Sequence, residues 1–210
     1  GYANFTFQVQ DDGTTANGGV DLDQSPNTMT LDVTSVNDAP AGTSNTVTVN
    51  EDGAHTFTAA DFGFSDPTDA ASAAGADALL AVEITTLPGA GSLTNDGIPV
   101  TAGQFVSVAD INAGKLVFTP AADANGTGYA NFTFQVQDDG TTANGGVDLD
   151  QSPNTFTINV TSVNDAPVNT VPALQTVAED TNLSVTGLAI ADVDAGSATN
   201  ITTTLSVLHG

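Results

Sequence analysis

The chain has 210 residues, 25 of them acidic and one, Lys115, basic, for a formal charge of -24 at pH 7. A surface this negative excludes nucleic-acid binding and repels anionic membranes, because it has no cations to replace released counterions. The absence of cysteine removes a disulfide scaffold, a thiolate metal site and a cysteine nucleophile together. Acidity of this kind also suits a salty habitat. At 40% hydrophobic residues the chain still holds enough Phe, Val, Ile and Leu for a core, unlike a disordered acidic tail. Its apolar runs, such as 78–82, are far too short to span a bilayer, so no membrane insertion is expected in this segment. The sequence opens mid-pattern at Gly1, and the lack of a visible signal peptide therefore says nothing about export.

Residues 1–40 return at 128–167 with three changes: Met29/Phe156, Leu31/Ile158 and Asp32/Asn159. A weaker match pairs Val49-Asn50-Glu51-Asp52 with Val177-Ala178-Glu179-Asp180, and Phe62-Gly63-Phe64-Ser65-Asp66 with Leu188-Ala189-Ile190-Ala191-Asp192. Self-similarity of this kind is the mark of a repeat protein. The sequence predicts the C-terminal part of a preceding repeat (1–39), one complete repeat (40–166) and the N-terminal part of a following one (167–210). The two incomplete pieces lack strands needed to close cores of their own and are expected to fray.

In chain order, Val47 and Val49 alternate with Thr46 and Thr48, and further strands are expected near 55–58, 80–85, 104–108 and 115–119. The Ala-rich stretch 69–80 reads as a loop insertion. Phe132, Phe134 and Val136 point one way while Asn131, Thr133, Gln135 and Gln137 point the other; Phe156, Ile158 and Val160 alternate likewise. Asn95-Asp96-Gly97 and Asp138-Asp139-Gly140 are turn signals. Short strands, regular turns and no helical period predict an all-β sandwich.

Two phrases, 114–123 (GKLVFTPAAD) and Val163-Asn164-Asp165-Ala166-Pro167, join the Glu-Asp pairs and Asp192-Val193-Asp194-Ala195-Gly196. Together they resemble the bacterial cadherin-like (VCBS-type) tandem repeats of large surface adhesins, over nearly the whole chain. The resemblance implies tandem cadherin/immunoglobulin-like Greek-key sandwiches strung end to end, with calcium at the junctions.

Residue chemistry leads to the same places. Pro167 cannot donate to a ladder and holds Ala166 extended, so the 164–167 linker ends the last strand. A linker this short brings the loops of two repeats together. At the second junction these are Glu51 and Asp52, Asp123 with Asn125, the linker residues Asn164 and Asp165, and Asp192 and Asp194 of the next repeat. Carboxylates and carbonyls from three such loops suit the 6–8 hard oxygen ligands of Ca2+. The first junction gathers Asn37 and Asp38 from the linker with Asp66, Asp69, Asp138 and Asp139. The resemblance places a calcium-binding aspartate at Asp138-Asp139-Gly140. The chain lacks the Asp-Arg-Glu phrase of animal cadherins, and Asp123 is expected to take part of that role. Asp21, Asp23, Asp148 and Asp150 read as loop and strand-edge acids, and the sequons, several of them within strands, carry no expectation.

His55 and His209 have no nucleophile or carboxylate at triad spacing, and the chain has no Trp and two Tyr to stack a sugar. No enzymatic activity is expected. The expected function is a calcium-stabilised spacer of a secreted or cell-surface adhesin supporting cell adhesion or biofilm formation, partnered by adjacent repeats of its own chain. A glycan- or protein-binding module, using the 69–80 loop or the Thr/Asn faces, is the alternative, and other parts of such an adhesin would contact surface glycans or proteins.

Overall fold

A computed structural model describes residues 2–72, 75–195 and 200–206; His209 and Gly196 lie outside them. The chain is mostly β, 35% strand and 10% helix, with several antiparallel and mixed sheets. Strands β1 (Ala3–Phe7) and β2 (Asn27–Leu31) form a hairpin. There follow β3 (Asn45–Asn50), β4 (His55–Thr56), the one-turn helix α1 (Pro67–Ala70), β5 (Leu79–Ile84), β6 (Ser92–Asn95), β7 (Ile98–Pro99) and β8 (Gln104–Ser107). Helix α2 (Val108–Asn112), β9 (Leu116–Thr119), β10 (Gly126–Asp138) and β11 (Asn154–Thr161) come next, and β12 (Val168–Thr170) pairs with β13 (Ala189–Ala191).

One sheet has the order β3-β11-β10-β5-β8 and the other β4-β9-β6-β7. The period of two sets what lies between them. Phe132, Phe134 and Val136 of β10 and Phe156, Ile158 and Val160 of β11 are buried, and they share one core with Leu93, Leu116 and Phe118 of the second sheet. Phe156 is its aromatic hub, stacked 5.4 Å from Phe132 and edge-on to Phe57 at 5.0 Å. Burying each such ring is worth about 1.5–3 kcal/mol, and edge-to-face pairs add roughly 0.5–1.5 kcal/mol.

The structure also departs from the expectations. Ser107 caps a turn of helix by accepting from the Asp110 N–H at 3.1 Å, where the sequence pattern suggested strand to 108. The 69–80 insertion begins inside α1, which Asp66 caps and Pro67 opens. Asp96 (φ 53°) and Gly97 (φ 75°) make the expected two-residue hairpin turn, joining β6 to the short β7.

The repeated phrase folds twice in the same way. Ala3↔Leu31, Phe5↔Met29 and Phe7↔Asn27 pair in β1–β2 as Ala130↔Ile158, Phe132↔Phe156 and Phe134↔Asn154 do in β10–β11. The Gln8 and Gln135 amides donate to the Asp23 and Asp150 carbonyls, and the Gly13 and Gly140 N–H groups to Asp11 and Asp138. Asp150 proves to be a buried organiser rather than a strand-edge acid, accepting from the Gly42 and Ser152 N–H groups and the Asn154 amide. The two copies differ in cover: Phe5 is 49% exposed and Phe132 fully buried.

Strands β3 and β11 run parallel and therefore finish at one end, the distal pole, at Glu51 and Val163. Strand β10 runs against them, so Asp138, opposite Leu79 at the start of β5, sits at the other end, the proximal pole.

The duplicated hairpin gives an internal comparison. Phe132→Ala should lower the stability of the cooperative unit by about 3–5 kcal/mol, and Phe5→Ala by less than about 0.5 kcal/mol. Urea unfolding of the two variants measures both; equal losses would contradict this account of the core.

Candidate metal sites at the two poles

At the proximal pole the linker runs into the end of the sandwich and is held there. The Asn37 carbonyl accepts from the Val147 N–H at 2.9 Å, and the Asn37 amide donates to the Val147 carbonyl at 2.6 Å and the Asp138 carboxylate at 3.3 Å. The Asp38 N–H donates to Asp69 Oδ2 at 2.7 Å. Asp69 is placed by α1, whose cap Asp66 accepts from the Asp69 N–H at 3.3 Å. Asp66, Asp69 and Asp138 are all buried.

Carboxylate oxygens of Asp66, Asp69 and Asp77 lie within 4.8 Å of one another. Asp77 had no signal in the sequence, because it ends an Ala-rich stretch without strand or helix periodicity. Two buried oxygens here, Asp66 Oδ2 and Asn37 Oδ1, have no hydrogen-bond partner among the described residues. Asp139 is used otherwise: it accepts from the Ala78 N–H at 2.6 Å and returns its own N–H to the Ala78 carbonyl, fastening the loop that carries Asp77.

At the distal pole Glu51 is 2% exposed. Its Oε1 accepts from the Val163 N–H at 2.6 Å and its Oε2 from the Asn125 amide at 2.7 Å. Asp52 and Asp123, both at positive φ, face each other, with the Asp123 N–H 3.5 Å from Asp52 Oδ1. The Asp165 N–H donates to Asp194 Oδ2 as Asp38 does to Asp69, and Asp192 accepts from the Asp194 N–H at 3.0 Å. Two overlapping carboxylate triads result, Glu51/Asp165/Asp194 and Asp52/Asp123/Asp165. Asp165 Oδ2 is buried and unpartnered among the described residues. Asn164 is exposed beside the groove between Asp123 and Asp194, and its amide donates to the Asp165 carbonyl.

Of the expected residues, Glu51, Asp52, Asp66, Asp69, Asp123, Asp165 and Asp194 fall in the carboxylate triads of two polar nests, joined by Asp77. Asp138 and Asp192 lie outside the triads, Asp38 meets Asp69 through its N–H, and Asp139 and the Asn164 amide make backbone contacts. Neither nest contains a lysine or arginine: the chain's one basic residue, Lys115, pairs with Asp110 at 2.8 Å. Burial pushes the Asp138 carboxyl up to about 6; the Gly140 N–H and Asn37 amide oppose the rise, and the Asp77 and Asp66 charges add to it. Burial likewise raises Asp77, with repulsion from Asp69, Asp139 and Asp66, and raises Asp165, with repulsion from Asp194, Asp123, Asp52 and Glu51. Clustered carboxylates without countercharge suit a hard divalent cation such as Ca2+. No helix among the described residues is long and apolar enough to cross a membrane.

A carboxyl whose folded-state pKa is raised binds its proton more tightly folded than unfolded. That stability is complete below the unfolded value of 3.8 and is lost as pH rises through about 6. In EDTA the protein should lose roughly 1–3 kcal/mol between pH 4.5 and pH 7.5, and Asp138→Asn should remove most of that slope. Thermal melts across this range measure it, and a slope unchanged in the variant would refute the assignment.

Compared with known proteins, the chain matches no family model, no curated protein and no solved structure, so its reading rests on the geometry of the two poles.

Proposed function

We propose that this chain is a non-enzymatic spacer of a secreted or cell-surface bacterial adhesin, a cadherin-like sandwich with incomplete neighbours on either side, stiffened by Ca2+ at its junctions. The observation that carries this reading is the repeated linker contact. The Asp38 N–H meets Asp69 at one junction and the Asp165 N–H meets Asp194 at the next. The neighbouring contacts repeat too: Ala41 bridges Ser65 as Val168 pairs with Ala191. Each linker therefore enters an acidic nest that holds a buried oxygen unpartnered among the described residues.

The logic of such a spacer is electrostatic. Without a cation, the carboxylates at a junction repel one another and hold neighbouring loops apart. With one, the same groups become ligands and fix the linker between units. Extracellular modules bind calcium at about 10⁻⁴–10⁻³ M, so a unit of this kind fills outside the cell and stays empty within it. The near-identity of 1–40 and 128–167 suits a part that sets length, because units with separate binding specificities would carry divergent loops.

Thermal unfolding in excess EDTA and in calcium at about a hundredfold excess over Kd, roughly 10 mM for a site of about 10⁻⁴ M, tests the reading. A cation that binds only the folded state at a hundredfold excess over Kd adds about 2.7 kcal/mol, or about 10 °C for a unit of this size. Asp66→Asn with Asp165→Asn should abolish most of the gain. Superimposable wild-type melts would overturn the proposal.

A further inference from the structure

Among the described residues the two poles draw their carboxylates from different places. The distal triads draw on four separated stretches of chain, at Glu51–Asp52, Asp123, Asp165 and Asp194. Asp52 and Asp123 are exposed there, and both Glu51 oxygens already accept hydrogen bonds. At the proximal pole the three carboxylates come from a single stretch, 66–77. Two of them are set by one turn of helix: Asp66 caps α1 through Oδ1, and the cap fixes Asp69 one turn later. Asp66, 7% exposed, is left with Oδ2 buried and unpartnered among the described residues, next to Asp69 and Asp77. Asp77 is half-buried and rides on a loop end that Asp139 fastens from both sides of Ala78.

Resting on the calcium reading above, we propose that Asp77 completes with Asp66 and Asp69 a divalent-cation seat lying wholly within one unit, which fills before the seats shared between units. Preorganisation separates the two kinds of seat. A seat whose ligands are already ordered and desolvated does not lose the entropy of docking a neighbour on binding, and rigidity together with ligand charge sets calcium affinity. The distal seats must fix Asp194 of the following segment against Asp165 and Glu51 before they close. Their ligands are also more exposed and more screened. Cation uptake then has two stages: the first neutralises the proximal nest inside a unit, and the second joins that unit to the next. The Ala-rich insertion acquires a role in this scheme, as the arm that delivers the third carboxylate.

Isothermal titration of the 210-residue chain with CaCl2 in chelator-treated buffer tests this. Two classes of site are expected. Asp77→Asn should weaken the tighter class by about tenfold or more and leave the weaker within about twofold. Asp165→Asn should do the reverse. Asp77 is half-exposed and its neutralisation relieves repulsion, so the variant should melt in EDTA no lower than wild type, which verifies its fold. A single class of site, or a tighter class untouched by Asp77→Asn, would overturn this inference while leaving the calcium spacer standing. Absence of any calcium binding by the wild type would remove both.

Discussion

Charge without countercharge governs this molecule. One lysine is set against 25 carboxylates, and it is spent on Asp110, away from either pole. The acidic groups at the poles therefore cannot be neutralised by the chain itself. Asp66, Asp69, Asp138 and Glu51 are nevertheless buried, which is costly for an ionised group unless something compensates it. Part of the compensation is internal: the N–H groups of Asp38, Asp69, Gly140 and Val163 and the amides of Asn37 and Asn125 all point at carboxylate oxygens. Asp66 Oδ2 and Asp165 Oδ2 remain buried without a partner among the described residues.

The core makes this tolerable. A cluster of phenylalanines around Phe156 lies in the core shared by the two sheets. Because β3 and β11 run parallel and β10 opposes them, acidic loops far apart in sequence are delivered to shared poles. Asn125 reaches Glu51 and Asn37 reaches Asp138 through this topology, not through proximity along the chain. Stability invested in the aromatic layer thus holds together groups that would otherwise separate.

Much of this was legible in the sequence, for reasons that can be named. The alternation at 131–137 and 155–161 sets which side chains turn inward, and a one-residue slip would expose every phenylalanine. The Glu51–Asp52 turn and the 123–125 loop, expected at one junction, meet where the Asn125 amide donates to Glu51. Other features had no comparable signal. Helix α2 occupies five residues, too few for a helical period to register, and only the Ser107 cap marks it. Strand β7 is two residues long and contains Pro99. Asp77 reaches the proximal nest through the pairing of Asp139 with Ala78, a tertiary contact that no local pattern encodes.

The duplicated hairpin bears on which of its two copies closes the core. The same phrase reaches the same register in both copies, although Phe5 is half exposed and Phe132 buried. A half-sandwich comprising β3 to β9 is then offered two nearly interchangeable closing pieces, one on either side along the chain. Inward-facing composition hardly separates them, since Met29 and Leu31 stand where Phe156 and Ile158 do. Direction of travel does: β11 leaves toward the distal pole, whereas the segment between β2 and β3 is tied at the proximal pole by Asn37 and Asp38. In the spacer proposed above, this anchorage would keep the two near-identical hairpins from exchanging places.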